Sequence, residues 1–217
     1  MSTFQAWPKI PRYNRQVTLT EKIDGTNAAV IIESVPNDDL VEASEHELAA
    51  YDDGDVTHLV YAQSRTRLIY PGKGTDNFGF AGWVQENAIR LVELLGEGRH
   101  YGEWYGLGIQ RGYGLDHKRF ALFNTERWEP LDCWDRLDEY PYAVHRDLPI
   151  DVVPVLASLY SPSGTWIEGN VNALRAHGSI LVPGFDRPEG IVVYHHAGRH
   201  LYKILLEGDD LPKGVAA

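Results

Sequence analysis

Glu21-Lys22-Ile23-Asp24-Gly25-Thr26-Asn27 is the stretch on which the reading of this chain turns. It lies between two β-like runs, Val17–Thr20 and Ala28–Glu33, so Lys22 falls at a strand end or in a hairpin turn. Asp-Gly is a turn dipeptide in its own right. A turn alone, however, needs neither the flanking Lys nor the Asn. At average residue usage, Lys-x-Asp-Gly-x-Asn arises by chance in roughly one chain of this length in several hundred.

Outward from this stretch, further short strand-like runs recur at His58–Gln63, His100–Tyr105, Arg119–Asn124, Gly190–Tyr194 and His200–Leu205. Several are bounded by Gly, Pro, Asn or Asp. Two segments have helical periodicity. Across Ala81–Leu95 the apolar residues Val84, Ala88, Leu91, Val92 and Leu95 share one face, and Gly96 follows as a stop. Thr165–His177 carries Trp166, Val171 and Leu174, with Gly178 in the position after the cap. Many strands with a few interposed helices predict an α+β domain with antiparallel sheets and flanking helices. Pro130–Pro149 carries no clear signal for either element.

Five more segments stand out in order along the chain. They are Ser64-Arg65-Thr66-Arg67; Tyr101-Gly102-Glu103-Trp104-Tyr105-Gly106 with its continuation Leu107-Gly108-Ile109-Gln110-Arg111-Gly112-Tyr113; Lys118-Arg119-Phe120-Ala121-Leu122-Phe123-Asn124; Arg187-Pro188-Glu189-Gly190-Ile191-Val192-Val193-Tyr194; and Leu201-Tyr202-Lys203-Ile204-Leu205. Each has a plain structural reading: surface arginines, a core aromatic on a strand, a glycine at a strand end. Their order beside the Lys22 segment is what gives them weight.

Taken together, the segments resemble the covalent nucleotidyltransferases, a group that includes DNA ligases, RNA ligases and capping enzymes. The Gly-Ile-Gln-x-Gly-Tyr run is similar to that of phage and editing-type RNA ligases. The resemblance spans residues 8 to 205 and implies an adenylation-type fold with the nucleotide in the groove between its sheets. It implies that Lys22 takes AMP from ATP, that Arg65 approaches the sugar and phosphates or the incoming 5′-phosphate, and that Glu103 accepts bonds from the ribose hydroxyls. Phe123 becomes the aromatic stacked on adenine, with Asn124 where an Asp is common. Glu21 and Asn27 join the nucleotide-binding set. Glu189 becomes a carboxylate facing Mg2+ or Mn2+, with Asp186 as an alternative contributor. Lys203 grips the α-phosphate; the usual partner lysine two residues away is absent, so either one lysine suffices, as in a related subfamily, or Lys213 or an arginine serves.

The chemistry fits the residue types. A free lysine amine has a pKa near 10.4 and attacks phosphorus only after losing its proton, which nearby cations and partial burial favour. A guanidinium fork suits phosphate better than an ammonium does. Hard divalent cations prefer oxygen ligands such as Glu189.

The implied activity is ATP-dependent RNA ligation, acting on nucleic acid with a 5′-phosphate and a 3′-hydroxyl end, with RNA favoured. The alternatives are a DNA ligase, a GTP-using capping-type enzyme, or a non-catalytic module that binds nucleotides or RNA ends. Only fourteen residues of the 217 follow Lys203, too few for an OB-fold or helical C-terminal domain. The expectation is therefore one adenylyltransferase domain over 1–217, with a protein partner as one route to the missing contacts. Trp7-Pro8-Lys9-Ile10-Pro11-Arg12-Tyr13 either adds to the nucleic-acid face or packs over a sheet.

Bulk properties set the remaining bounds. A net charge of −11 argues at first against nucleic acid, but the charges are unevenly placed. Glu33–Asp55 holds nine acidic residues and no Lys or Arg, as a solvated loop or flap would. Lys9, Arg12, Arg15 and Lys22 cluster near the start, and Arg65, Arg67 and Lys73 sit close together. No apolar run is long enough to span a membrane. Cys133 is the only cysteine, so no internal disulfide forms and a cytoplasmic setting is expected. His195 and His196, with His200 nearby, hint at a metal, but adjacent strand residues point to opposite faces.

Overall fold

Alternation of small apolar and polar residues in Gln16–Lys22 builds the first strand, β1. Val17, Leu19 and Glu21 point inward, while Thr18, Thr20 and Lys22 are only partly covered. The computed structural model describes residues 3–37, 44–128, 143–145 and 148–209. These form two compact units, one from 3–22 and 154–209, the other from 23–128, 143–145 and 148–153.

In the first unit β1 pairs antiparallel with β10 (Val155–Tyr160) on one side and β11 (Gly190–His195) on the other, and β12 (His200–Leu205) pairs with β11. Helix α4 (Gly164–His177) covers one face, where Val171 and Leu174 pack with Val17, Leu19, Leu156, Ile191 and Val193. The Ser163 hydroxyl caps this helix by accepting the Trp166 amide at 3.1 Å. Gly178 follows its last turn, as the sequence predicts.

The second unit is a larger sheet. Its order is β3 (Ala49–Asp52), β4 (Val56–Ser64), β2 (Thr26–Pro36), β6 (Gly98–Gly106), β7 (Lys118–Leu122), β9 (Ile150–Val152) and β8 (Ala143–His145), with β5 (Leu68–Ile69) on β4. Every pair is antiparallel except β7 with β9. Helices α1 (Phe80–Glu86) and α2 (Ala88–Leu95) cover one face. Their apolar residues join Ala28, Val30, Ile32, Val60, Ala62, Trp104, Phe120 and Leu122 in one core. Aromatic rings fill its centre, with Phe80 5.0 Å from Phe120 and Trp83 5.1 Å from Trp104. A four-residue helix, α3 (Thr125–Trp128), follows β7.

The structure differs from the sequence reading in several places. The single helix expected over Ala81–Leu95 is two, broken at Asn87 (φ −113°, ψ 14°). The Asn87 side chain donates to the Trp83 carbonyl at 2.8 Å, the local competition that makes Asn a poor mid-helix residue. The Lys22–Asn27 segment is not a hairpin turn, because β1 and β2 belong to different sheets. The strand expected over Arg119–Asn124 stops at Leu122. Within Glu33–Asp55, β3 forms a hairpin with β4 whose turn residues Asp53, Gly54 and Asp55 are exposed, so the acidic stretch is only partly loop. Asp38, Asp39, Glu42, Cys133 and Lys213 lie outside the described residues, as does most of 130–149. Among the described residues, no helix is long and apolar enough to cross a membrane.

Candidate active site

Lys22 is the last residue of β1, opposite Gly190 of β11, so Glu189 lies one residue before that pair. The Lys22 ammonium donates to Glu189 Oε2 at 2.5 Å, and both side chains are about one-fifth exposed. Gly190 is what lets the strands close here. A Cβ on it would strike the Ile204 carbonyl of β12 and come within 2.9 Å of the Leu205 Cα. Lys203 sits opposite Val192, itself opposite Thr20, on the same sheet face as Lys22 and away from α4. Lys203 is exposed. The first unit therefore presents Lys22 and Lys203 on its helix-free face, with the Glu189 carboxylate bonded to Lys22.

Glu21, expected among the nucleotide-binding residues, points the other way. It is 1% exposed, and its carboxylate accepts from the Ser179 hydroxyl at 2.6 Å and from the Ile180 and Leu181 amides at 2.8 and 3.0 Å. Burial pushes its carboxyl up to about 7, and the bonds from Ser179, Leu181 and Ile180 oppose that rise. The alternation of β1 makes this unavoidable: next to a lysine on the open face stands a residue on the covered one. Asp186 is exposed and lies 3.8 Å from Arg187.

In the second unit, Asn27 stands in register with Glu103, and Glu103 with Ala121. All three face away from α1 and α2, because Ala28, Trp104 and Phe120 take the covered side. Phe123 follows just past β7, 39% exposed, its amide bonded to the Tyr101 carbonyl at 2.9 Å. Arg65 is exposed in the turn after Ser64, which pairs with Ala28, so it stands at the end of β4 that adjoins Asn27. Arg67 donates to the Gly74 carbonyl at 2.9 Å.

Gly25 is demanded by close packing, not by a turn: a Cβ there would meet the Trp104 carbonyl and lie 2.9 Å from the Tyr105 Cβ. Its amide donates to Glu103 Oε1 at 3.2 Å. Three residues without an assigned role in the sequence reading join this corner. The Asp24 carboxylate pairs with Arg111 Nε at 3.0 Å, and the Asp24 amide donates to the Tyr113 hydroxyl at 2.8 Å. Tyr113 is 2% exposed and has φ of 53°. Its ring meets Tyr105 edge-on, and the Tyr105 hydroxyl donates to Asp151, which also receives Arg119 through two bonds of 2.6 and 2.7 Å. The Gly-Ile-Gln-Arg-Gly-Tyr run was the available signal for Arg111 and Tyr113.

The histidines occupy structural positions. His195 Nε2 bonds the Tyr13 carbonyl at 2.8 Å, and His196 bonds the Thr18 hydroxyl at 2.9 Å. Among the described residues no group of three or more His, Cys, Asp or Glu is placed to hold a metal ion. Glu189 can supply one oxygen ligand.

Comparison with known proteins bears on residues 15–205, which match the family model described as RNA ligase. No curated protein matches the chain. Among solved structures, a Naegleria gruberi RNA ligase with pyrophosphate is similar over 88% of this chain and 50% of that one, at 17% identity and a TM-score of 0.51. A substituted form of the Naegleria ligase with ATP and Mn is similar over 88% and 49%, at 16% identity and a TM-score of 0.50. The chain thus spans about half the length of the solved ligases it matches, and at this identity the likeness is one of fold.

Proposed function

Because this chain belongs to the RNA ligase family, we propose that it is an ATP-dependent RNA ligase in which Lys22 carries AMP. The observation that supports this most is the placement of Lys22 and Lys203 on one sheet face, with the Lys22 ammonium 2.5 Å from Glu189. An adenylation-type fold with the nucleotide in its groove, built as one domain over residues 1–217, is part of the same proposal. So is a cytoplasmic setting, in keeping with the lone Cys133.

In the first step Lys22 leaves its ion pair, and Nζ loses one proton to solvent before it attacks the α-phosphorus of ATP and a second as the bond to phosphorus forms. A nitrogen–phosphorus bond forms, the bond to the bridging oxygen breaks, and pyrophosphate leaves. Lys203 and Arg65 offset the charge that builds on the phosphoryl oxygens. Glu103 and Asn27 hold the ribose side, and Phe123 stacks on the base, a contact worth about 1–3 kcal/mol. In the second step a 5′-phosphate oxygen attacks the same phosphorus, the nitrogen–phosphorus bond breaks and Nζ regains a proton. In the third, a 3′-hydroxyl attacks the activated end and expels AMP, leaving a phosphodiester.

Glu189 fits a hydrated Mg2+ or Mn2+, which takes one or two carboxylates and fills its other positions with water and phosphate oxygens. When bound, such an ion neutralises phosphate charge and orients the leaving pyrophosphate. The Naegleria ligase was solved with ATP and Mn. A protein partner that supplies further substrate contacts belongs to this proposal as well.

The test is intact-mass spectrometry before and after ATP with magnesium, then after pyrophosphate. A gain of one AMP, reversed by pyrophosphate and absent in Lys22→Ala, is the expected result. No adduct, with manganese also tried, would move the chain to a module that binds nucleotides or RNA ends without chemistry.

A further inference from the structure

Four large apolar side chains near the start of the chain are almost fully exposed: Phe4 at 93%, Trp7 at 85%, Ile10 at 82% and Tyr13 at 80%. Single exposed hydrophobes are ordinary, but four within ten residues are not. They recur at every third position. Residues 3–12 contain neither helix nor strand, and Pro8 and Pro11 bias Trp7 and Ile10 towards extended backbone. An extended segment with a three-residue period sets such residues along one ridge.

The far end of the segment is fixed to the first unit. The Tyr13 carbonyl accepts from His195 at 2.8 Å, and the Ser161 amide donates to the Arg15 carbonyl at 3.1 Å. Arg15 donates to the Tyr160 hydroxyl at 2.7 Å, with its guanidinium 5.7 Å from the centre of that ring. The aromatic ridge is therefore held at its base and displayed, not folded away.

Charge selects the occupant. Lys9, Arg12 and Arg15 alternate with the aromatics, and residues 1–20 contain no Asp or Glu, in a chain of net charge −11. A protein-docking patch has a core depleted of charge. Aromatics interleaved with cations instead suit a single nucleic-acid strand, whose bases stack while its phosphates pair. We propose that residues 4–15 form a strap that binds single-stranded RNA, stacking bases on Trp7 and Tyr13 and pairing phosphates with Lys9 and Arg12. This assignment rests on the reading of the chain as an RNA ligase and adds where the strand lies.

The experiment uses the full chain and a fluorescent, 5′-phosphorylated single-stranded RNA of about a dozen nucleotides, a length within the usual site sizes. Binding is followed by anisotropy across a salt series. Trp7→Ala with Tyr13→Ala should weaken binding about tenfold or more, and Trp7→Phe should retain most of it. Lys9→Ala with Arg12→Ala should make the slope of log affinity against log salt shallower by about 1.4. Circular dichroism and melting confirm that each variant is folded. Unchanged affinity and slope in both double variants would overturn the strap. So would a wild-type dimer that Trp7→Ala dissolves while RNA binding stays intact, since the ridge would then be a protein contact. The wild-type mass measurement separates the two claims. Adduct without strap-dependent binding removes this inference alone; strap-dependent binding without adduct removes the ligase reading alone.

Discussion

Lys203 and Lys22 share one face of the four-stranded sheet, with β11 between their strands and Val192 in register with Lys203. Strand spacing and rise place their Cα atoms about 12 Å apart. Both ammonium groups are thus offered to the same side, which makes Lys203 a cation placed to assist Lys22. Lys203→Ala should slow the appearance of the AMP adduct about a hundredfold, the scale of losing one preorganised charge. Lys203→Arg should keep part of the rate. The side chain is exposed, so the melting temperature should move by no more than about 2 °C. A full-rate Lys203→Ala protein would shift the phosphate contact to another cation.

Glu189 holds the Lys22 ammonium at rest in an ion pair of 2.5 Å. Glu189→Gln keeps the shape and removes the charge. Adduct formation should fall about 10²- to 10³-fold at fixed magnesium, while stability changes by about 1 kcal/mol or less, as for other partly exposed pairs. Single-turnover time courses and urea melts read the two effects separately. Wild-type rates in Glu189→Gln would reduce Glu189 to a resting partner of the lysine.

The segments that made both clusters legible in the sequence are short, local and chemically odd. Lys22, Glu189 and Lys203 were visible because nothing structural requires a charged residue at those positions in or beside their strands. Strands β1 and β11 were visible because period-two alternation runs through them. Other parts depend on contacts distant in sequence. Glu21 was expected among the nucleotide-binding residues, but its environment is set by Ser179, Ile180 and Leu181, more than 150 residues away. Gly25 looked like a turn glycine; only its packing against Trp104 and Tyr105 shows otherwise. The break at Asn87 was hidden because the apolar periodicity runs straight through it. Strands β9 and β10 were missed because Pro149 and Pro154 punctuate runs of only three and six residues.

Glu21 should leave a signature in the pH dependence of stability. Its carboxyl is raised from the ordinary range, 4.5, to about 7 in the folded chain, chiefly by burial. The folded state then binds a proton more tightly than the unfolded one. Its contribution is fully present below pH 4.5 and is lost as pH rises through about 7. Glu21→Gln cannot ionise, so the stability of the variant relative to wild type should rise between pH 5 and 8, by up to a few kcal/mol. Urea melts of both proteins at matched ionic strength give the difference directly. A difference that stays flat across this range would mean that the bonds from Ser179, Ile180 and Leu181 outweigh burial.

Asp151 is 0% exposed and is held by two bonds from Arg119 and one from the Tyr105 hydroxyl; the Tyr105 ring meets Tyr113 edge-on, and the Tyr113 hydroxyl accepts from the Asp24 amide. Removing one partner of a buried charge pair costs about 3–5 kcal/mol, because the other is left buried without compensation. Arg119→Ala should therefore destabilise the chain by that amount. Tyr105→Phe deletes only one bond to the carboxylate and should cost about 1.5–3 kcal/mol. If the network also positions the Asp24 backbone, Tyr113→Phe should slow adduct formation more than it lowers the melting temperature would account for. Equilibrium urea melts and adduct time courses on the three variants distinguish these roles. Equal losses in Arg119→Ala and Tyr105→Phe would show that the arginine pair contributes no more than a single neutral bond.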